Sequence, residues 1–110
     1  MSHVAIIDYG MGNLDSVSRA VEECGGRPRR ALESCDLDEA AHIILPGVGA
    51  FSDAMQNLRA TGLVAALEAA VLDRGIPFLG VCLGMQLLAT RSFEGGEHAG
   101  LGWIDADVCR

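Results

Sequence analysis

A cysteine between two glycines is the residue best suited to carry out chemistry in this sequence. Cys82 lies in the segment GVCLG, residues 80–84, between two apolar runs. A chain that turns sharply from a strand into a helix has no room for side chains two residues before and two after the turn, and Gly80 and Gly84 meet that requirement. The thiol then points outward, and the positive end of the helix dipole favours the reactive thiolate. The pattern predicts a nucleophile, with the backbone N–H of Leu83 as one oxyanion donor.

A second glycine-rich segment, PGVGAF at residues 46–51, directly follows another apolar run. In a parallel sheet, active groups gather beyond the carboxyl ends of the strands, so this segment and the cysteine turn face each other if their strands are neighbours. We therefore expect the backbone N–H of Val48 to be the second oxyanion donor. Each such donor contributes about 3 kcal/mol at the transition state.

The remaining small motifs have simpler interpretations. Gly10 and Gly12 suggest a dinucleotide-binding turn, with Glu33 as the ribose partner, but the third glycine of that fingerprint is replaced by Asp15. An anion there opposes pyrophosphate binding. Cys24 is predicted to be a core residue on an apolar helix face. Cys35 and Cys109 have no setting that indicates a role.

Apolar periodicity predicts the elements that position these motifs. Strands are expected at residues 4–7, 27–32, 41–45, 76–81 and 103–108, and helices at residues 14–24, 34–39, 51–58, 63–72 and 83–89. Residues 92–102 are expected to form a loop. Strands that alternate with helices indicate an α/β fold, with an open, mostly parallel, doubly wound sheet and helices on both faces. Residues 1–110 are predicted to form a single domain.

Composition excludes several classes of function. The net charge is −7 and all eight basic residues are arginines, so no nucleic-acid partner is expected. The longest apolar stretch, residues 76–89, is interrupted by proline and glycine and is too short to span a bilayer, so no membrane partner is expected. The four cysteines form no C-x-x-C pair, and the start Met1-Ser2-His3 has no signal-peptide pattern. A cytoplasmic location and no metal or cofactor are expected.

Three ordered motifs together resemble one protein family. They are DYGMGNL at residues 8–14, LPGVGAF at residues 45–51 and GVCLGMQLL at residues 80–88. The sequence is similar in these segments to the glutaminase subunits of imidazole glycerol phosphate synthase, which are triad-type, class I glutamine amidotransferases. The resemblance covers nearly the whole chain and implies the flavodoxin-like fold of that class.

The resemblance also implies a reaction and a partner. Cys82 would attack the side-chain amide of glutamine, forming a glutamyl thioester and releasing ammonia, while the N–H groups of Val48 and Leu83 hold the oxyanion. The partner would be a cyclase subunit with a (β/α)8 barrel, which receives the ammonia for histidine biosynthesis as one half of a heterodimer. The other positions implied are Gly47, Gly49 and Gln86 for glutamine binding, and Asn13 for the partner surface.

The sequence departs from that family in one respect that concerns catalysis. Family members are longer, and a histidine and a glutamate in their carboxyl-terminal half complete the triad. The histidines here are His3, His42 and His98, and none is expected to reach the thiol. The sheet is therefore expected to be incomplete at its carboxyl-terminal side, and the chain to be inactive by itself. Two other hypotheses stay open: a non-catalytic α/β module that binds a partner, and a small cysteine hydrolase or redox sensor.

Overall fold

A computed structural model describes residues 3–109 of the chain. Met1 and Ser2, which belong to the start that lacks a signal-peptide pattern, lie outside the described residues, as does Arg110. The strands are β1 (His3–Ile7), β2 (Pro28–Ala31), β3 (Ala40–Leu45), β4 (Phe78–Gly80), β5 (Ala89–Ser92), β6 (His98–Ala99) and β7 (Ile104–Val108). The α-helices are α1 (Leu14–Glu23), α2 (Phe51–Ala60), α3 (Leu63–Glu68) and α4 (Leu83–Gln86), with a 3₁₀ turn at Ser34–Leu37 and a π-helical segment at Ala69–Asp73.

The main sheet is parallel and has the strand order β2-β1-β3-β4. Leu45 at the end of β3 is paired with Gly80 at the end of β4, so the segments that follow these two strands leave the sheet at the same edge. This is the neighbour relation that brings residues 46–51 to the cysteine turn. The predicted α/β class and the parallel sheet with flanking helices are confirmed.

One face of the sheet packs against α2 and α3. Alternate residues of the strands point to this face because side chains alternate along a strand. They join apolar residues of the two helices, of which Met55, Leu58, Leu63 and Leu67 are buried, and Val71 of the π-helical segment is partly buried against the same cluster. This layer fixes the orientation of β3 and β4, which carry the two glycine-containing turns.

The opposite face carries α1 and a broad apolar groove of about 690 Å³. Val17 and Val21 of α1 face this groove together with Val4 of β1. The prediction that Cys24 is a core residue is wrong, because this cysteine is exposed. It lies on the expected side of the helix, but it follows the last residue of α1 and borders the open groove rather than a packed layer. No helix in residues 3–109 combines the length and the apolar character that crossing a bilayer requires.

The predicted helix at residues 83–89 is shorter than expected. It ends at Gln86, since the N–H of Leu88 donates to the carbonyl of Met85, three residues back, as in a 3₁₀ turn. The carbonyls of Leu87 and Leu88 then accept hydrogen bonds from the N–H groups of Leu101 and Ile104. The chain enters β5 instead, at Ala89.

A second sheet, with the order β6-β5-β7, was not predicted. The expected strand at residues 103–108 is present as β7 and runs parallel to β5. The expected loop at residues 92–102 contains the two-residue strand β6, which is antiparallel to β5. His98 belongs to β6 and its ring nitrogen lies 3.2 Å from the carbonyl oxygen of Gly95. The small sheet therefore places this histidine in a defined position.

Candidate active site

Cys82 occupies the turn between β4 and α4 in a backbone conformation that is unusual for a residue with a side chain. Its φ is 54° and its ψ is −119°, and it is the one residue other than glycine in residues 3–109 with a positive φ. Such a conformation costs about 1–3 kcal/mol and persists only where the surrounding structure enforces it. The side chain of Cys82 is exposed. The predicted bend is therefore present, and the thiol lies on its outer side.

Close backbone packing enforces this bend. A methyl group at position 80 would lie 2.8 Å from the Cα atom of Met85, and one at position 84 would overlap the carbonyl oxygen of Leu45. The N–H of Val81 donates to the same Leu45 carbonyl at 3.0 Å. Both glycines are thus required by contact, in agreement with the reasoning from their spacing.

The first turn of α4 follows the cysteine directly. Leu83 is its first residue and is buried, and an N–H at this position has no acceptor within the helix. The carbonyl oxygen of Cys82 accepts hydrogen bonds from the N–H groups of Met85 and Gln86 at 3.0 and 3.3 Å. Gln86 is half-buried at the end of this single turn. The predicted oxyanion donor Leu83 and the predicted glutamine ligand Gln86 therefore belong to the same short helix.

The glycine-rich loop after β3, residues 46–50, contacts the cysteine turn. Gly47 is so close that a methyl group there would lie 3.1 Å from the backbone nitrogen of Gly84 and 3.1 Å from Cβ of Leu83. Val48, the next residue, is 62% exposed. Gly49 has a φ of 111° and lies next to the side chain of Met11. This contact places Gly47 beside the elbow, whereas the roles of Val48 and Gly49 stay predictions.

Tyr9 is bonded to the glycine-rich loop, and no role was predicted for it from the sequence. It is 4% exposed, and its hydroxyl donates a hydrogen bond of 2.6 Å to the carbonyl oxygen of Pro46. Burial raises the pKa of Tyr9 to about 12, because the phenolate would lose its hydration. A tyrosine directly after a buried strand was the available signal, but its partner is 37 residues away in the sequence.

The glycine turn after β1 provides a further side of the site. Asn13 is exposed and caps α1, since its side-chain oxygen accepts a hydrogen bond from the N–H of Ser16 at 3.2 Å. It lines an open cleft of about 390 Å³ together with Val48, Asp15 and Arg30. Cys82 is not among the residues that line this cleft. The cleft therefore joins the predicted partner residue to the glycine-rich loop, next to the nucleophile turn.

The carboxylate of Asp15 is paired with the guanidinium of Arg30 at 2.9 Å at the mouth of the cleft. An anion at this position in the first turn of α1 competes with a bound pyrophosphate, which disfavours the dinucleotide hypothesis for the turn of Gly10 and Gly12. Glu33, the residue considered as a ribose partner, begins the 3₁₀ turn.

His3 and His42 lie away from the thiol. His3 is at the amino end of β1, whereas the elbow follows the carboxyl end of β4 in the same parallel sheet. His42 precedes the end of β3 by three residues, about 10 Å along a strand, and borders the apolar groove. Within residues 3–109, no histidine is hydrogen-bonded to Cys82, and no group of acidic, histidine or cysteine side chains has the arrangement of a metal site.

A family model for class-I glutamine amidotransferases matches residues 5–97. The chain belongs to this family. The match includes all three motifs on which the resemblance was based, with Cys82 in the nucleophile segment. The elbow and the glycine-rich loop of this amidotransferase both lie within the matched residues.

Relatives with curated names are similar over nearly the entire chain. Imidazole glycerol phosphate synthase subunit HisH of Moorella thermoacetica is 50% identical over 110 residues, which are 100% of this chain and 52% of that protein. The subunit HisH of Zymomonas mobilis is 50% identical, covering 97% of this chain and 52% of that protein. The subunit HisH of Synechocystis is 49% identical, covering 98% of this chain and 50% of that protein. The chain spans about half the length of these relatives.

A crystal structure of a glutamine amidotransferase has the same fold. It superimposes with a TM-score of 0.80 at 21% sequence identity, covering 97% of this chain and 56% of that one. At this identity the likeness concerns the fold. It supports the arrangement of the parallel sheet and the flanking helices described above.

Proposed function

We propose that this chain is the nucleophile-bearing part of a glutaminase subunit of imidazole glycerol phosphate synthase, folded as a partial amidotransferase domain. The observation that carries the proposal is the strained, exposed Cys82 at a bend whose following helix contacts Gly47 of the glycine-rich loop. The identity of about 50% with the HisH subunits favours this member of the family over other amidotransferases.

In the proposed reaction, the sulfur of Cys82 attacks the side-chain amide carbon of glutamine. The carbonyl oxygen becomes an oxyanion that accepts hydrogen bonds from the N–H groups of Val48 and Leu83. When the carbon–nitrogen bond breaks, the leaving nitrogen takes a proton and departs as ammonia, leaving a glutamyl thioester. Water then breaks the carbon–sulfur bond and releases glutamate, so one glutamine and one water give one glutamate and one ammonia.

The proton steps require a base that residues 3–109 do not place against the thiol. A cysteine nucleophile ordinarily depends on a neighbouring base to take up its proton and return it to the leaving amine. We therefore propose that hydrolysis by this chain by itself is slow. The family's histidine and glutamate would supply this function in a protein of the relatives' length.

Three further assignments complete the proposal. Gly47, Gly49 and Gln86 would contact the bound glutamine, as their places around Leu83 and Cys82 permit. Asn13, in the cleft beside Val48, would lie at the surface of a (β/α)8 cyclase partner that receives the ammonia in histidine biosynthesis. A heterodimer in the cytoplasm agrees with the free state of Cys24, Cys35, Cys82 and Cys109.

The test is glutamate release from glutamine, measured with and without the cyclase subunit encoded in the same genome. We expect slow release from this chain, and faster release that depends on the cyclase and disappears in Cys82→Ala when the assay uses a chain of the relatives' length. Cys35→Ala serves as the matched control because it removes another exposed thiol. Cyclase binding without any release, even when the missing base is provided by a chain of the relatives' length, would contradict the proposal. That result would favour the non-catalytic partner-binding module.

A further inference from the structure

A single buried hydrogen bond connects the first loop of the chain to the glycine-rich loop. The hydroxyl of Tyr9 donates to the carbonyl oxygen of Pro46 at 2.6 Å, and both residues are buried. Tyr9 follows β1 and Pro46 follows β3, which are adjacent strands of the main sheet. The bond therefore joins the ends of two neighbouring strands directly below the exposed part of the loop.

The peptide group between Pro46 and Gly47 is packed against two elements. A methyl group at position 47 would lie 2.5 Å from the Tyr9 hydroxyl oxygen, and one at position 84 would lie 3.2 Å from the Pro46 carbonyl oxygen. Tyr9 and the first turn of α4 therefore both contact this peptide group. No other side chain in the described residues donates a hydrogen bond to Pro46.

We propose that Tyr9 is a positioning residue of the glutaminase reaction, which holds the Pro46–Gly47 peptide group so that the next N–H, that of Val48, stays beside the cysteine turn. The inference rests on the proposed function. Tyr9 does not contact glutamine in this scheme, because its ring is buried below the loop. It acts through the loop alone.

Tyr9 can act in this way because few bonds can rotate between the fixed Pro46–Gly47 peptide group and the N–H of Val48. The ring of Pro46 fixes its own φ, and the Tyr9 hydrogen bond fixes the orientation of its carbonyl. Three residues of the loop, Val48, Gly49 and Ala50, are exposed, so the loop is anchored at its amino end and adjustable beyond Gly47. Without the Tyr9 hydroxyl, a buried carbonyl loses its partner, and rotation of the 46–47 peptide group toward another donor becomes favourable.

The experiment compares two reagents on the thiol of Cys82. The first is the chloromethyl ketone analogue of glutamine, whose ketone oxygen needs the oxyanion donors; the second is chloroacetamide, which lacks the amino-acid part. In both cases the thiolate forms a carbon–sulfur bond, the carbon–chlorine bond breaks and chloride leaves. Modification of the Cys82 peptide is followed by mass spectrometry at alkaline pH, where thiolate is present without a general base.

We expect Tyr9→Phe to lower the maximal inactivation rate by the chloromethyl ketone about tenfold to a hundredfold, less than or equal to the loss of an entire oxyanion donor. The chloromethyl ketone concentration that gives half the maximal inactivation rate should equal that of the unchanged chain. The rate of modification by chloroacetamide should also be the same in the two chains. The matched control is Thr61→Val, which removes another side-chain hydrogen bond of 2.6 Å, from Thr61 to the Leu58 carbonyl at the end of α2. This control should leave both rates unchanged.

All measurements are made in sucrose, which favours the folded state, so that a destabilised variant is assayed folded. Equal chloromethyl ketone rates for Tyr9→Phe and the unchanged chain overturn the role of Tyr9, and so does an equal fall with both reagents, which indicates a purely structural role. If the ratio of the two rates at Cys82 equals their ratio for free cysteine, the unchanged chain has no preference for the glutamine analogue beyond its chemical reactivity, and the proposed function itself fails. The two failures are thereby distinguished.

Discussion

Two glycine-containing turns meet at the candidate active site, and they are held in different ways. In the nucleophile turn, residues 80–84, both glycines are fixed by contact with backbone atoms of Leu45 and Met85. In the glycine-rich loop, residues 46–50, Pro46 and Gly47 are buried and the Pro46 carbonyl accepts a hydrogen bond from Tyr9, whereas Val48 and the two residues after it are exposed. The difference indicates that the nucleophile turn is rigid, and that the position of the proposed oxyanion donor Val48 depends on one anchor.

The strongest test of the rigid turn is Gly84→Ala. Because the added methyl group would overlap the Leu45 carbonyl oxygen, we expect the free energy of unfolding in urea to fall by about 3 kcal/mol or more. The control is Gly95→Ala, at a positive φ of 68° with no atom within 4 Å of the added group. This change should cost only about 1 kcal/mol through backbone strain. Equal losses in the two variants would show that the turn is not held by contact.

The anchor of the loop predicts a pH dependence. Burial raises the pKa of Tyr9 to about 12 from 10.0. The unfolded chain therefore loses the phenol proton first, and the contribution of Tyr9 is complete below about pH 10 and lost as the pH rises through about 12. The slope should not exceed about 1.4 kcal/mol per pH unit.

This slope is measured as the difference in unfolding free energy between the unchanged chain and Tyr9→Phe. The subtraction removes the titration of the four cysteines, which both chains share. Tyr9 is the single tyrosine, so its ionisation is also seen directly in the ultraviolet spectrum. Parallel pH curves for the two chains would contradict the buried anchor.

The strain at the nucleophile predicts an inverted order of stability for two variants without the thiol. At an ordinary position alanine is more stable than glycine, but Cys82 has a φ of 54°. We expect the free energy of unfolding of Cys82→Gly to be about 1 kcal/mol higher than that of Cys82→Ala. Cys35→Gly and Cys35→Ala, on the 3₁₀ turn, provide the matched pair with the usual order. Alanine as the more stable residue at position 82 would contradict the strained conformation.

The smallest effect is expected at the mouth of the cleft, beside the free half of the loop. The ion pair between Arg30 and Asp15 is exposed on both sides, so Arg30→Ala should change the free energy of unfolding by less than about 0.5 kcal/mol. Added salt should likewise alter the effect of Arg30→Ala on the free energy of unfolding by less than about 0.5 kcal/mol. A loss above about 1 kcal/mol would mean that the pair supports the loop, which would then be held at both ends.

The sequence predicted the elbow because its requirements are local. Gly80 and Gly84 are separated from Cys82 by fixed spacings, and the contacts that require them arise from the turn itself and the adjacent strand end. The first strands and helices were likewise predictable from periodicity, since β1 and α1 each show a single apolar pattern. Their bounds agree with the expectation within a few residues.

The features that the sequence did not predict depend on distant partners. The chain after α4 accepts hydrogen bonds from Leu101 and Ile104, more than ten residues further on, and residues 83–89 contain no sign of them. The partner of Tyr9 follows a different strand. Cys24 has the right helical spacing for a core residue, but its exposure depends on what covers the groove. Periodicity indicates on which face of an element a side chain lies, but not whether another layer packs against that face.

The central claim is that the bend makes one thiol reactive toward glutamine. It is tested most directly by mapping which cysteine the chloromethyl ketone analogue of glutamine modifies, with and without competing glutamine. All four cysteines are exposed, so accessibility alone predicts modification of each. The account predicts modification of Cys82 alone, prevented by glutamine. Equal modification of Cys24, Cys35, Cys82 and Cys109, unaffected by glutamine, would contradict it.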